Sequence, residues 1–361
     1  MSSFYFLPED LEIDVRKLAS IFKDTAASYK FLWFISLLQL VNEKMGFFSL
    51  HEIASKMIAN AWYPVNHCHL NLGKKDQMGL VIECLIEKYG FEKNDDPDEI
   101  EKKLNNFKYF DKREIRSVVS EVPYHFLSPW VGCFRGRQHH KIYQELSNNI
   151  HKNCPYRIVE LENQCGVIIS KQWEIYFKSF YSILMEFAYF NFATYLQDRN
   201  PEVPGILYKM KKPKDRQDLI EQTNFWKTYM KEAGGVRSIY TGEVLHDDDK
   251  FALDHFIPWS YVAHNQVWNL APIENSINSK KSNKLPSFRL IEELSDIQFQ
   301  LFSFYTKFYG SNKFLEDYAG LGYPLEELSS MGADRFKDIF IRKVKLIRES
   351  ASRMGFLDWT N

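Results

Sequence analysis

The run FLWFISLLQLV, Phe31 to Val41, is apolar on nearly all sides when wound as a helix. A helix with so little polar face cannot rest on a surface, so other elements must wrap it. It covers only about half of a bilayer's hydrocarbon core and contains Gln39, so it predicts a buried central helix and not a membrane span. Around it, SLHEIASKMIANAWY opens with Ser49 and Glu52 in capping-box spacing and then sets Ile53, Met57 and Ile58 on one face. QMGLVIECLIEKYG predicts a third helix stopped by Gly90. DDPDEIEKKL predicts a fourth, with Asp96 as cap and Pro97 at the first helical position.

The remainder divides by pattern. YRIVELENQCGVIIS, Tyr156 to Ser170, has two β-branched runs around a glycine-containing turn and predicts a hairpin. A long aromatic helix should follow from Lys171 to about Asp198, its rings serving as core, before RNPEVPG breaks the chain. A helix ending near Ala233 precedes Gly234-Gly235, and two or three more fill Phe288 to Met354. The expected organisation is a helical substrate- or partner-binding domain over 1–150 and a connecting scaffold over 151–235. A small α+β core over 236–290 and C-terminal helices over 291–361, packed on that core, complete it. The fold class is thus mainly α with a small embedded α+β domain. A length of 361 residues suits about two domains.

Charge and cysteine content narrow the function. The net charge is −1, so the whole surface does not attract polyanions, and any nucleic-acid binding must come from local basic patches. The five cysteines are odd in number and form no C-x-x-C pair. This argues against a disulfide framework and a thiolate zinc site, so no structural zinc is expected. The acidic start, MSSFYFLPEDLEID, lacks the basic region of a signal peptide. A cytoplasmic protein without membrane partners is expected.

The densest chemistry lies in LDHFIPWSYVAHNQVWNLAPIENSINSKKSNKLPS, Leu253 to Ser287. RSIYTGEVL, just upstream, predicts a strand, a Thr-Gly turn and a second strand. FALDHFIP predicts another strand ending at Asp254-His255, and NLAPIENSINSKKSN a loop entering a short helix. That order can hold His255, Asn269 and Asn278 on one side of a pocket suited to phosphodiester hydrolysis. The reaction needs a base to deprotonate water and a cation to neutralise charge on the phosphate and leaving oxygen. An imidazole with its usual pKa of about 6.5 is largely neutral near pH 7.5 and accepts a proton. Asp254 and the amide oxygen of Asn278 are hard donors of the kind that bind Mg²⁺, with Mn²⁺ as a substitute. Lys280, Lys281 and Lys284 are candidates for flanking phosphates.

These residues resemble HNH (ββα-metal) endonucleases. The spacing is similar to the HNH domain of RNA-guided CRISPR nucleases. Asp254, His255, Pro258 and Ser260 come first, then Asn269, Asn278, Lys281-Ser282 and Pro286-Ser287. IYTGE, Ile239 to Glu243, is similar to the opening strand of many such domains. The likeness spans 238–287, about a seventh of the chain. It implies that His255 is the general base, that Asp254 and Asn278 hold the metal, and that Asn269 braces the loop carrying His255. The third motif residue is Asn278 where many members have histidine. The zinc-binding cysteine pairs of many members are missing, leaving Phe251, Phe256, Trp259 and Trp268 to stabilise the domain by packing. SYKFLWFISLLQL and FFSLHEIASKMIANAWYPV faintly resemble a helical region of bacterial defence and restriction HNH proteins.

Three other clusters have both plain and functional readings. His67-Cys68-His69 is read as packing, because no second ligand cluster stands at metal spacing. CFRGRQHHK, with Arg135, Arg137, His139, His140 and Lys141, is read as a solvated loop, with phosphate binding as the alternative. KMKKPKDR supplies Lys209, Lys211 and Lys212 as candidate DNA contacts. The expected function is a Mg²⁺-dependent endonuclease, acting on DNA in bacterial defence or restriction, with a partner protein possible. The alternatives are an assembly subunit with an inactive HNH fold and an RNA-cutting toxin.

Overall fold

The computed structural model describes residues 7–106, 113–213, 218–310 and 312–360. The chain forms two compact units, Met1–Pro201 with Ile206–Lys212 and Glu202–Gly205 with Pro213–Asn361. It is mainly α with a few small sheets. Among the described residues, no helix is long and apolar enough to cross a membrane.

In the first unit the apolar run becomes α1, Tyr29–Glu43, in which Phe31 to Leu38 are all buried. The strand β1, Phe47–Ser49, leads into α2, Leu50–Asn66, whose capping box forms as expected. The Glu52 amide donates to Ser49 Oγ at 3.2 Å, and the Ser49 amide donates to Glu52 Oε2 at 3.0 Å. The helix α3, Met78–Tyr89, ends on Gly90 in the left-handed conformation. The next, α4, Pro97–Asn105, begins at Pro97, but the Asp96 side chain makes no capping bond and instead pairs with Lys212. After α5, His139–Ser147, come β2, Tyr156–Leu161, and β3, Gln164–Ile169.

The sheet order is β1-β3-β2, antiparallel throughout. The hairpin turn is Glu162-Asn163, both at positive φ, and not the glycine that the sequence pattern suggests. Gly166 lies within β3, where a Cβ would come within 2.3 Å of the Phe48 carbonyl oxygen. Glycine is needed there for the close approach of β1, not for the turn. The hairpin lies in the first unit. The aromatic helix is in fact two, α6, Lys171–Ser179, and α7, Tyr181–Arg199, meeting at Phe180. Both pack on α1, with Phe31 stacked on Phe192 at 5.3 Å.

The second unit starts with α8, Ile220–Ala233, capped by Gly234. The strands β4, Val236–Arg237, and β5, Val244–Leu245, pair around the Thr-Gly turn. The strand β6, Phe251–His255, pairs with β7, Leu270–Glu274, which runs directly into α9, Asn275–Lys281. The sequence pattern predicts a loop where β7 lies. Pro272 and the flanking asparagines hide the strand, yet Leu270 to Ile273 are all buried and opposed to β6. The helices α10, Arg289–Phe308, and α11, Ala333–Arg353, pack together. Gln298 of α10 braces the start of β7, its amide donating to the Val267 and Leu270 carbonyls at 3.0 and 2.7 Å.

Candidate functional site

Asp254 and His255 end β6, and adjacent strand residues send their side chains to opposite faces. Asp254 is 4% exposed and His255 half-buried. The two groups have different partners. Asp254 Oδ1 accepts from Lys281 Nζ at 2.9 Å, and Oδ2 accepts from the Tyr240 hydroxyl at 2.5 Å. Burial, reinforced by the neighbouring carboxylate, pushes the Tyr240 phenol well above its ordinary pKa, so it stays a donor. The turn that presents Tyr240 is held by Glu274, which accepts from the Ser238 and Thr241 hydroxyls, and by Arg237, which donates to the Gly242 carbonyl at 2.7 Å.

Lys281 is fully buried and also donates to the His255 carbonyl at 2.9 Å. This corrects its placement among phosphate-binding lysines: a side chain sealed against Asp254 is that carboxylate's counter-ion. A buried carboxylate without such a partner would be very costly.

His255 Nε2 lies 2.9 Å from Asn265 Oδ1. An amide oxygen only accepts, so Nε2 carries a proton. Asn269 is fully buried and works through the backbone. Its Oδ1 accepts from the Ile257 amide and its Nδ2 donates to the Ile257 carbonyl, each at 2.9 Å, while its own carbonyl accepts from Phe256 N at 2.8 Å. These three bonds fix the chain just after His255. Asn269 thus braces the chain that follows His255. Asn278 sits half-buried on α9, one turn before Lys281, on a helix packed against both β6 and β7. The face of α9 that delivers Lys281 to Asp254 thus also carries Asn278.

Residues 238–287 match the HNH endonuclease family model. No curated protein and no solved structure matches the chain. The HNH family consists of metal-dependent nucleases, and nucleic acid is the substrate class it implies. Two further residues of the HNH motif make structural contacts. The Ser260 hydroxyl donates to Asn283, and the Pro286 carbonyl accepts from Arg348 Nε at 2.6 Å. Leu285 exchanges backbone bonds with the C-terminal segment, its amide donating to Leu357 and its carbonyl accepting from Trp359. Phe256 and Trp268 are buried, as the packing argument asked.

The donor chemistry suits a hard divalent cation. A carboxylate has about four lone-pair positions, of which Asp254 uses two, and Asn278 adds a neutral oxygen on the neighbouring helix. The Lys281 ammonium already stands at this carboxylate as a cation in place.

The other candidates separate by exposure. Lys280, in the last turn of α9, and Lys284, just beyond it, are exposed. Lys211 is exposed, with its ammonium 3.8 Å over the Tyr189 ring, and Lys212 pairs with Asp96. Lys209 is fully buried, and burial pushes its ammonium down to about 8, with Cys68 opposing the shift. It does not present itself to a phosphate. Lys214 and Arg216 of the same run lie outside the described residues. Arg135, Arg137 and Lys141 are exposed, whereas His139 and His140 face Glu121. In His67-Cys68-His69, Cys68 is fully buried and His67 stacks on Tyr63 at 4.9 Å.

Sequence reasoning missed Tyr240 and Asn265 as working parts. The Y in IYTGE was visible as part of a motif, but its target was not. Asn265 gave no signal beyond being one of several asparagines.

Proposed function

We propose that this chain is a Mg²⁺-dependent endonuclease that hydrolyses phosphodiester bonds of DNA, with His255 as the general base. The observation that carries the reading is the contact between His255 Nε2 and Asn265 within the segment that matches the HNH family. It orients the His255 ring beside a loop anchored by Asn269. Asp254 and Asn278 would hold the metal, which supplies positive charge to the phosphate and the departing oxygen. Mn²⁺ is expected to substitute, because it shares the preference for oxygen donors. Lys280 and Lys284 contribute phosphate contacts beside the site, and Lys211 and Lys212 a second basic patch.

The test is incubation of supercoiled plasmid with the protein in Mg²⁺, in Mn²⁺ and in chelator. Cleavage with either metal, lost in chelator and in His255→Ala, supports the reading. RNA cut in place of DNA would reassign the substrate, and no cutting of either would leave an assembly role. Asn278→Ala should shift the Mg²⁺ requirement upward; an unchanged metal titration removes Asn278 from the ligand set.

The setting we propose is the bacterial cytoplasm, in defence against foreign DNA, with or without a partner protein. The five free cysteines suit a reducing compartment, and the defence role rests on the likeness of the N-terminal helices. Phage plating on cells carrying wild type or His255→Ala tests it, and equal plating on both ends it.

A further inference from the structure

In the first unit, Glu121 precedes the short helix Val122–His125, and His139 and His140 open α5. One ligand atom from each of the three lies within 4.8 Å of the others. His139 Nε2 is 2.9 Å from Glu121 Oε2, and His140 Nε2 is 3.1 Å from Oε1. His125 approaches from the side, its Nε2 3.4 Å from Oε2.

The imidazoles are held as metal-binding imidazoles are held. His139 Nδ1 is 2.6 Å from the Gly136 carbonyl oxygen. A carbonyl only accepts, so Nδ1 carries a proton and Nε2 is the nitrogen turned toward Glu121. A ring N–H given to a backbone carbonyl is the support that orients a ligating histidine and fixes its tautomer. The His140 ring lies flat on Tyr124, with centroids 4.0 Å apart and planes 14° from parallel. In the neutral tautomer, the His139 Nε2 lone pair faces a carboxylate oxygen at contact distance. A second proton on His139 resolves that one contact. A divalent cation between the two imidazoles and the carboxylate would take up the same His139 lone pair, and His140, whose Nε2 is 3.1 Å from Glu121 Oε1, stands within reach of the same ion.

We propose that Glu121, His139 and His140 bind a divalent transition-metal ion, zinc fitting best, with His125 or water completing four-coordination. Two imidazoles and a carboxylate are a mixed nitrogen and oxygen set that suits zinc and not Mg²⁺. Bonds of about 2.0–2.2 Å to a tetrahedral ion put ligand atoms roughly 3.3–3.5 Å apart. The two carboxylate–imidazole separations, 2.9 and 3.1 Å, are slightly shorter than that and the third lies within 4.8 Å, so admitting the ion needs side-chain movements of a few tenths of an ångström or more. Binding displaces any proton on the ligating nitrogens and involves no redox step. The ion joins the Glu121 turn to the first turn of α5 across the intervening loop, and α5 packs on β2. Its role is to hold that loop. No thiolate takes part, which is why an argument from cysteine spacing misses the site.

The full-length protein, stripped with chelator and dialysed, is titrated with Zn²⁺ by calorimetry and with Co²⁺ by visible absorption. Wild type should take up the metal, show tetrahedral cobalt bands and melt at a higher temperature with zinc. Lys280→Ala, a surface change in the second unit, should keep the tetrahedral cobalt bands. The double variant His139→Gln/His140→Gln should lose the bands, with zinc affinity down by about 100-fold or more. Should the double variant fail to fold, Glu121→Gln, a change at an exposed residue, must still weaken zinc binding. Wild type that takes up no zinc overturns the proposal. So does uptake that survives Glu121→Gln and the histidine changes undiminished.

Discussion

Asp254-His255 in the second unit and Glu121 with His139 and His140 in the first bring together the same two functional groups, a carboxylate and imidazole. In the second unit they are neighbours in sequence, yet the strand separates them. The carboxylate is taken by Lys281 and Tyr240, and the imidazole by the amide of Asn265. In the first unit they are distant in sequence, yet Nε2 of each histidine meets the carboxylate directly. His255 meets an amide oxygen through Nε2, which suits the base we propose. Imidazoles turned onto a carboxylate are arranged to share a cation. Partnering, not composition, separates a base from a chelating cluster.

The contrast breaks most easily at its strongest point. His255→Ala should slow cleavage by about 10²–10⁴ while DNA affinity holds; turnover at the wild-type rate sinks the assignment of the base. Lys281→Met removes the counter-ion of a buried carboxylate and should destabilise the second unit by about 3–5 kcal/mol, read as a lower denaturant midpoint. Adding Asp254→Asn should recover most of that loss, since no buried charge is then left unpaired, but not cleavage. A double variant no more stable than Lys281→Met would show that the pair is not the source of the cost. Asn265→Ala removes the amide oxygen that His255 Nε2 meets and should reduce cleavage by about 10–100-fold, with unchanged metal demand. A wild-type rate there would mean the tautomer is set elsewhere. Glu121→Gln should leave cleavage at the wild-type rate at saturating Mg²⁺, and a loss above a few-fold would tie the two clusters together. The smallest effect belongs to the surface. Lys280→Ala with Lys284→Ala should make the log–log salt slope of duplex binding shallower by about 0.9 for each phosphate that is no longer neutralised. An unchanged slope would class both as solvated.

Much of the helical framework was legible because it depends on local signals. The largely apolar α1, the capping box at Ser49 and the stops at Gly90 and Gly234 are each decided within a few residues. The HNH motif was legible for another reason, that its residues stand at fixed spacing. The failures share a physical origin in partners far along the chain. Lys281 reads as part of a basic surface run until Asp254, on β6, buries it. Lys209 reads the same way and is buried too. Gly166 looks like a turn residue until β1 closes on it. The strand β7 looks like a loop because Pro272 weakens the pattern, and only pairing with β6 reveals it. Asn265 becomes distinctive only when the chain returns it to His255.

The C-terminal segment bears on heredity. Trp359 sits edge-on to Tyr240, with centroids 5.4 Å apart, and Tyr240 donates to Asp254. Arg348 spans the Pro286 carbonyl and the Asp358 carboxylate, clamping that segment beside Leu285. The recognisable motif is therefore shorter than the piece that must be inherited together. A recombination event that moved residues 238–287 alone would carry the whole signature and leave its scaffold behind. A graft of residues 238–287 alone should therefore be less stable than one that also carries α11 and Trp359.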